Sequence, residues 1–225
     1  MLYAITDRRF YGANEQHARE RLLEQTEVWV ANGVAFIQLR EKDLPARDQV
    51  ELARAMLRII RTTPKQSGLP RGTRLLINGR LDVALAAGAD GVHLPAVPDA
   101  LTPSEMRSIF AAAGRTQQLT ISVSCHTLQE VEAARQEKPD CILFAPVFEK
   151  AITLTAQQDF GGTQILPGTG LALLEQACQI AAQTPVFSLG GITAENAVQC
   201  LRAGAAGIAA IRLMQEPASK WIRFV

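Results

Sequence analysis

The sequence lacks the features that mark disulfide-rich, membrane-spanning or nucleic-acid-binding chains. It has four cysteines, none in a C-x-x-C pair, and their spacing does not resemble a zinc site. No apolar run is long enough to cross a bilayer, and no signal peptide precedes the first one. The 23 basic and 22 acidic residues give a net charge of +1, which argues against a nucleic-acid or anionic-lipid surface. We therefore expect a cytoplasmic protein with reduced thiols and with neither nucleic acid nor membrane as a partner.

Composition leaves the number of domains open. The 225 residues are 48% hydrophobic and 5% aromatic. This apolar fraction is too high for a disordered chain, and a chain of this length can bury a core without disulfides. Because length alone allows one large domain or two small ones, the order of the predicted elements has to decide.

Short apolar runs alternate with amphipathic segments along the whole chain. The runs predict strands at Leu2–Thr6, Val34–Leu39, Arg74–Ile77, Gly91–Leu94, Leu119–Ser124, Cys141–Val147, Pro185–Leu189 and Gly207–Leu213. The segments between them predict helices at His17–Ala31, Asp48–Ile60, Leu81–Ala87, Ser104–Ala113, Leu128–Gln136, Leu171–Gln183 and Ala194–Ala203. Continuous apolar runs are typical of parallel strands that are covered on both faces.

Eight strand–helix units predict an α/β fold, a single (β/α)8 TIM barrel that spans residues 1–225. The alternative is an open, doubly wound sheet. It fits less well because no G-x-G-x-x-G follows the first strand. In a barrel of this kind, functional residues lie at the C-terminal ends of the strands, so polar residues at those ends are the candidates.

The ends of the second and fifth strands carry the clearest candidates. Gln38 and Arg40 share one face of a strand and Lys42 follows, which predicts an anion site, although a solvated charge run is the alternative. His126 is the candidate general acid/base because His titrates near neutrality. It precedes a helix that Thr127 is placed to cap, with Glu130 at the reciprocal position.

Two later segments add candidates of a different kind. Gly190 and Gly191 end the seventh strand before a predicted helix, an arrangement that lets backbone N–H groups approach a phosphate. The polar segment 149–170 has neither helical nor strand periodicity. It is long for a loop between a strand and a helix, and long loops of this kind often act as lids.

Several motifs recur in order between about residue 3 and residue 213. They are Ala4-Ile5-Thr6-Asp7, Gly33-Val34, Gln38-Leu39-Arg40-Glu41-Lys42, Asn78-Gly79-Arg80-Leu81-Asp82, Gly88-Ala89-Asp90-Gly91-Val92-His93-Leu94, Ser124-Cys125-His126-Thr127, Pro146-Val147-Phe148, Gly190-Gly191-Ile192 and Gly204-Ala205-Ala206-Gly207-Ile208-Ala209. The set resembles the thiamine phosphate synthase superfamily, which includes the TenI-like thiazole tautomerases. The resemblance implies a (β/α)8 barrel, a small phosphorylated thiazole as substrate and a homo-oligomeric assembly.

Two reactions follow from the resemblance. The synthase branch joins hydroxymethylpyrimidine diphosphate to thiazole phosphate with magnesium and releases pyrophosphate. The tautomerase branch aromatises a carboxythiazole phosphate by moving a proton, which requires an acid/base group and no metal. The choice between them depends on where this sequence departs from the synthase pattern.

Three departures favour the tautomerase branch. Gly79 stands where the synthase pattern has a magnesium-binding Asp, and Asp99 comes one position late for the second acid. The Lys of the Thr-x-Thr-Lys segment is missing, and Lys150 comes early for it. Magnesium prefers oxygen ligands, and it commonly takes one or two carboxylates. We therefore expect a tautomerase without a cofactor or metal site, and keep a magnesium-dependent synthase as the alternative.

The resemblance also assigns roles to the candidate residues. His126 is the proton-transfer residue. The substrate-binding residues are Gln38, Arg40, Lys42, Asn78, Arg80 and Ser124, and the phosphate-binding residues are Gly190, Gly191 and Arg212. Arg212 stands where the family usually has a Ser near the end of the eighth strand. Two more alternatives stay open: a regulator that binds thiazole or thiamine phosphates without catalysis, and an unrelated phosphate-binding isomerase on the same fold.

Overall fold

A computed structural model describes residues 1–64, 72–97, 100–154 and 162–224. The strands are β1 (Leu2–Ile5), β2 (Phe36–Leu39), β3 (Arg74–Asn78), β4 (Gly91–Leu94), β5 (Thr120–Cys125), β6 (Cys141–Phe144), β7 (Lys150–Leu154), β8 (Gly162–Leu166), β9 (Val186–Ser188) and β10 (Gly207–Ala210). The helices are α1 (Glu15–Ala31), α2 (Ala46–Thr62), α3 (Leu81–Ala87), α4 (Pro103–Ala112), α5 (Leu128–Gln136), α6 (Leu171–Ala181), α7 (Ala197–Arg202) and α8 (Arg212–Gln215). Short 3-10 helices lie at Arg8–Tyr11, Ala218–Lys220 and Ile222–Phe224.

Eight of the strands form a closed parallel barrel. Their order around it is β1, β2, β3, β4, β5, β6, β9 and β10, and β10 pairs with β1 through Leu2 and Ile208 to close the ring. An α-helix lies between each strand and the next barrel strand, and α8 follows β10. The predicted (β/α)8 barrel is confirmed. That the whole of residues 1–225 forms one domain stays a prediction.

Strand alternation divides the apolar side chains between two cores. Side chains such as Tyr3, Leu76, Leu143 and Phe187 fill the barrel interior. Their chain neighbours point the other way and pack under the helices in the larger core, since successive side chains of a strand face opposite sides. This double burial explains why the strands read as continuous apolar runs.

The segment 149–170 differs from its prediction as an irregular loop. It contains an antiparallel hairpin in which β7 pairs with β8, from Lys150 opposite Leu166 to Leu154 opposite Gly162. Neither five-residue strand alternates strictly between apolar and polar residues, so the sequence carries no clear strand period here. Residues 155–161 lie outside the described residues, and a lid function stays a prediction.

Two further boundaries differ at the C-terminal end. The eighth barrel strand ends at Ala210, and Arg212 begins α8 instead of following a longer strand. The short apolar run through Leu213 fits either structure, and both Leu213 and Met214 are buried under the helical layer. The last predicted helix also begins later, at Ala197, because residues 194–196 form a turn.

Gly91 allows β4 to approach β5 closely. A Cβ atom at this position would lie 1.8 Å from the carbonyl oxygen of Thr120 and 2.7 Å from Cδ2 of Leu76. The carbonyl belongs to the neighbouring barrel strand, so the contact could be relieved only by moving backbone. Glycine is therefore required here by the barrel itself.

We expect Gly91→Ala to lower the free energy of unfolding by about 3 kcal/mol, the upper part of the range for overpacked sites. Gly88→Ala is the matched control. Gly88 ends α3 with a φ of +72°, and a Cβ there would meet nothing within 4 Å. Only the left-handed backbone is then penalised, at about 1 kcal/mol. Urea unfolding measures both values, and equal losses would show that the strand contact is relieved without cost.

A buried cation anchors the segment that leaves β2. Arg8 contacts three carboxylates, with Nε 2.9 Å from Glu15, Nη1 2.9 Å from Glu41 and Nη2 2.6 Å from Asp43. The backbone N–H of Arg8 also donates to Glu41. Burial raises the pKa of Glu41 even though Arg8 donates to it, whereas hydrogen bonds from Arg8 lower the pKa of Asp43. Glu41 lies between Arg40 and Lys42, so this ion cluster fixes the backbone that carries both cations.

We expect Arg8→Met to cost about 3 kcal/mol or more of stability at pH 7, because it leaves the buried Glu41 without its cation. The loss shrinks as the pH falls. In the variant, the buried Glu41, whose pKa is raised, takes up a proton and no longer carries an unpaired charge. In the wild-type protein, Asp43 takes up a proton and loses its pairing with Arg8, so the two proteins differ less in stability. Urea unfolding of both proteins between pH 7 and pH 4 measures this.

Arg9→Met is the control, because Arg9 pairs with Asp7 at the surface and such pairs contribute under about 1 kcal/mol. A loss for Arg8→Met no larger than for Arg9→Met would contradict the anchoring role.

Candidate functional site

The candidate residues lie where the barrel strands end. Gln38 is in β2 and Asn78 is the last residue of β3, while Ser124 is next to last in β5. Arg40 and Lys42 follow β2, and Arg80, His126 and Gly190-Gly191 follow β3, β5 and β9. Parallel strands direct all these ends to one rim of the barrel, as the fold class predicts.

A row of hydrogen-bonded side chains crosses the barrel interior below this rim. The hydroxyl of Tyr3 lies 3.1 Å from Oε1 of Gln38 and 2.9 Å from Oγ of Ser122. Nε2 of Gln38 donates to Oδ1 of Asn78 at 2.9 Å. Gln38 is therefore held between the first and third strands, and it holds Asn78 at the mouth.

His93 continues the row through β4. Its Nδ1 lies 2.8 Å from Oγ of Ser122 and its Nε2 lies 3.0 Å from Oγ of Ser124. Burial, with a smaller effect from the charge of Arg40, lowers the pKa of His93 to about 3. His93 is therefore neutral at physiological pH and joins Ser122 to Ser124.

The sequence did not single out Tyr3, Ser122 or His93 as site residues. The signal was present, because Ser122 is a polar residue within an apolar strand and Tyr3 and His93 lie on the inward face of theirs. Burial of such groups requires hydrogen-bond partners, so they are expected to pair with one another.

Arg40 supplies positive charge at the mouth. Its backbone N–H donates to Thr6, while within the described residues its guanidinium makes no hydrogen bond or salt bridge. The charge of Arg40 lowers the pKa of the exposed Lys42 beside it, which shows that the two cations are close. The carboxylate of Glu41, which lies between them in sequence, is held by Arg8, so the two neighbouring cations can attract an anion.

Arg80 differs from these two cations. Its Nε and Nη2 donate to Asp82 at 2.8 and 2.6 Å, a bidentate pairing. Arg80 does reach a cavity of about 240 Å³ that also involves Lys42, Asn78 and Gly79. Its charge is already balanced there, so a role in substrate binding stays a prediction.

His126 is oriented by the backbone of two elements. Its Nδ1 lies 2.6 Å from the carbonyl oxygen of Ala145 beyond β6, and its N–H donates to the carboxylate of Glu130. Thr127 caps α5 as predicted, accepting from the N–H of Glu130 at 3.1 Å. Because a carbonyl can only accept, Nδ1 carries the proton, and Nε2 of the neutral ring has a free lone pair.

The surroundings of His126 are apolar on one side. It lines a cavity of about 470 Å³ together with Ser124 and with side chains from the ends of β4 and α4. Among these are Leu94, Pro95, Val97 and Leu101. An uncharged ring of a ligand fits such a surface beside an acid/base group.

The two glycines after β9 have a packing role. Gly190 and Gly191 have φ values of +94° and +65°. A Cβ at Gly190 would lie 2.7 Å from Pro146, and one at Gly191 would lie 2.5 Å from the carbonyl oxygen of Glu149. Glycine thus lets this loop pack on the loop after β6, and phosphate binding by these residues stays a prediction.

The helix N-terminus that was expected behind these glycines is displaced. The N–H of Thr193 is bound by the side chain of Asn196, and α7 begins only at Ala197. Arg212 is exposed at the start of α8 instead of at the end of a barrel strand. Its predicted contact with phosphate is not tested by the structure.

The described residues do not fit the magnesium site of a synthase. Gly79 supplies no ligand atom, and the carboxylates of Glu41 and Asp82 bind Arg8 and Arg80. Among the described residues no group of three or more His, Cys, Asp or Glu side chains could hold a metal ion. Asp99 lies outside the described residues.

No helix in the described part of the chain is long and apolar enough to cross a membrane. A homo-oligomeric state, a cytoplasmic location and the absence of a nucleic-acid partner stay predictions.

Known proteins resemble this chain over nearly its whole length. A protein of Geobacter sulfurreducens named "Putative thiamine-phosphate synthase" is 40% identical over 93% of this chain and 84% of its own. A thiamine-phosphate synthase of Azorhizobium caulinodans is 33% identical over the same shares. The solved structure of thiamine phosphate pyrophosphorylase from Pyrococcus furiosus has a TM-score of 0.69 and 26% identity, and the match covers 97% of this chain and 89% of that one.

The family model described as thiamine monophosphate synthase matches residues 2–214, which include all the barrel strands. This agrees with the motifs at the strand ends and with the barrel that carries them. The chain belongs to the thiamine monophosphate synthase family, which includes the TenI-like proteins.

Proposed function

We propose that the protein acts on a thiazole phosphate in thiamine biosynthesis, and that it aromatises carboxythiazole phosphate through proton transfer by His126. The observation that carries the proposal is the hydrogen bond between Nδ1 of His126 and the carbonyl of Ala145. It leaves Nε2 as the ring nitrogen that can accept a proton, and His126 lines an apolar cavity. A tautomerisation requires such a group and no metal.

The proposed reaction divides between two parts of the rim. Arg40 and Lys42 attract the anionic groups of the substrate. Nε2 of His126 takes a proton from one carbon of the thiazole, the electron pair enters the ring system, and the same proton returns to another carbon. The carbonyl of Ala145 stabilises the imidazolium that forms between the two steps, because it accepts from Nδ1–H.

A synthase that joins hydroxymethylpyrimidine diphosphate to thiazole phosphate is the second candidate. The names of the relatives favour this reaction over the first. The described residues favour it less, since Gly79 has no carboxylate and those of Glu41 and Asp82 are held by Arg8 and Arg80. A regulator that binds thiazole or thiamine phosphates without turnover is the third candidate. Binding alone does not require the hydrogen bond that orients His126 for proton transfer.

Two parallel assays separate these candidates. The purified protein is given the non-aromatic tautomer of carboxythiazole phosphate in one, and the pyrimidine diphosphate, thiazole phosphate and magnesium in the other. The proposal expects turnover of the first mixture without added metal. Turnover of the second mixture alone would establish the synthase, and tight binding without turnover of either would favour the regulator.

We expect His126→Ala to slow the tautomerisation about 10²- to 10⁴-fold, the usual contribution of a general acid/base. His17→Ala is the matched control, because His17 is exposed on α1 and lines neither of the two cavities described above. Steady-state kinetics measure the rates, and circular dichroism confirms that each variant is folded. A rate for His126→Ala equal to that of His17→Ala would remove His126 from the catalytic role.

We expect Arg40→Gln to raise KM for carboxythiazole phosphate about 10- to 100-fold, because it removes a charge-assisted contact to an anion. Arg80→Gln is expected to change KM by less than about fivefold, since the charge of Arg80 is held by Asp82. Initial rates at varied substrate concentration measure both. A larger effect for Arg80 would mean that Asp82 releases it to the substrate.

A further inference from the structure

We propose that the row of side chains inside the barrel is proton-ordered in one direction, from Ser124 to Asn78. In this order Ser124 presents only an acceptor at the barrel mouth, and Asn78 presents both N–H donors of its amide. The order would then determine which groups of a ligand can form hydrogen bonds at each side of the mouth. Tyr3, Ser122 and His93 become positioning residues that act on the ligand through Ser124 and Asn78.

The order begins at Gln38. Its Nε2 donates to Oδ1 of Asn78, so its other amide atom, Oε1, faces Tyr3 and can only accept. The hydroxyl of Tyr3 therefore donates its single proton to Gln38. Tyr3 has no proton left for Ser122, which lies 2.9 Å away on its other side, so Ser122 must donate to Tyr3.

The same count continues through His93. Ser122 has given its proton to Tyr3, so its oxygen accepts from Nδ1–H of His93. A neutral imidazole with a proton on Nδ1 has a lone pair on Nε2, which accepts from the hydroxyl of Ser124. Burial of His93, only 3% exposed, and the nearby charge of Arg40 both disfavour a second proton on the ring.

The consequence appears at the two ends of the row. The hydroxyl proton of Ser124 is held by His93, so only its oxygen lone pairs remain for a ligand. Oδ1 of Asn78 already accepts from Gln38, whereas both protons of its NH₂ group remain for a ligand. Asn78 then suits an oxygen of a phosphate or carboxylate, and Ser124 suits an N–H or O–H donor.

This assignment agrees with the charges at the mouth. Asn78 shares a cavity with Lys42 on the side where Arg40 and Lys42 attract anions, whereas Ser124 lines the cavity of His126. The fit of each side to carboxythiazole phosphate rests on the proposed function. The proton order itself does not, since it follows from contacts within the protein alone.

The test is the tautomer of His93 in the ligand-free wild-type protein labelled with ¹⁵N-histidine. Two-bond ¹H–¹⁵N correlation spectra distinguish a protonated ring nitrogen from a bare one, and the protein has three histidines to assign. We expect His93 to carry its proton on Nδ1 and to stay neutral from pH 8 to pH 5. A proton on Nε2 would reverse the whole row, and protonation of both nitrogens within this range would abolish it; either result overturns the proposal.

Tyr3→Phe tests whether the row acts as a unit. It keeps the ring in the barrel and removes the hydroxyl that takes the proton of Ser122. That proton can then turn to His93, so signals of the Nε2-protonated form are expected beside those of the Nδ1 form. Tyr11→Phe is the matched control, because the Tyr11 hydroxyl bonds Gln215 outside the row, and it should leave the His93 spectrum unchanged.

The outcomes are distinct from those of the activity assays. An unchanged His93 tautomer in Tyr3→Phe would overturn the ordering, whatever reaction the protein catalyses. Failure of the tautomerase assay with the expected His93 spectrum would overturn the proposed function and leave the ordered row standing.

Discussion

The pairing of β1 with β10 is the constraint on which the site depends. Leu2–Ala4 lie beside Ile208–Ala210, and this contact turns a row of eight strands into a ring. Because every strand in the ring is parallel, every strand end faces one rim. Tyr3 and Ser122, 119 positions apart in sequence, become hydrogen-bonded neighbours across the barrel interior through this closure.

The polar row inside the barrel limits how the interior can be packed. Each buried polar group without a partner costs about 1–3 kcal/mol, so the four buried side chains of the row, Tyr3, Gln38, His93 and Ser122, are stable there only when their bonds form together. The aromatic rings of Tyr3, Phe36 and Phe187 pack below it with centroids 5.5 to 5.8 Å apart. The polar row is therefore packed against aromatic rings on its inner side. This packing restricts the positions open to the side chains at the mouth.

Most of the fold could be predicted from the sequence, because parallel barrel strands are apolar on both faces and glycine marks several of their ends. The hairpin of β7 and β8 could not, since neither of its five-residue strands alternates between apolar and polar residues. Gln38 and His126 could be singled out as candidates from their places at strand ends. Tyr3 and Ser122 could not, because their importance lies in a bond between β1 and β5 that only the closed barrel forms.

Position 79 shows how little separates the two reactions proposed for this family. Gly79 has a φ of +67°, and a Cβ there would meet only Pro95, at an ordinary contact distance of 3.7 Å. Asp is among the residues that tolerate this left-handed backbone. The Cβ atom of such a side chain would fit beside Pro95 without a clash. The barrel of this chain could therefore carry a carboxylate at the end of β3 without rearranging. The departure from the synthase pattern at position 79 is therefore one of ligand chemistry and not of backbone geometry, since the barrel already has room for a side chain there.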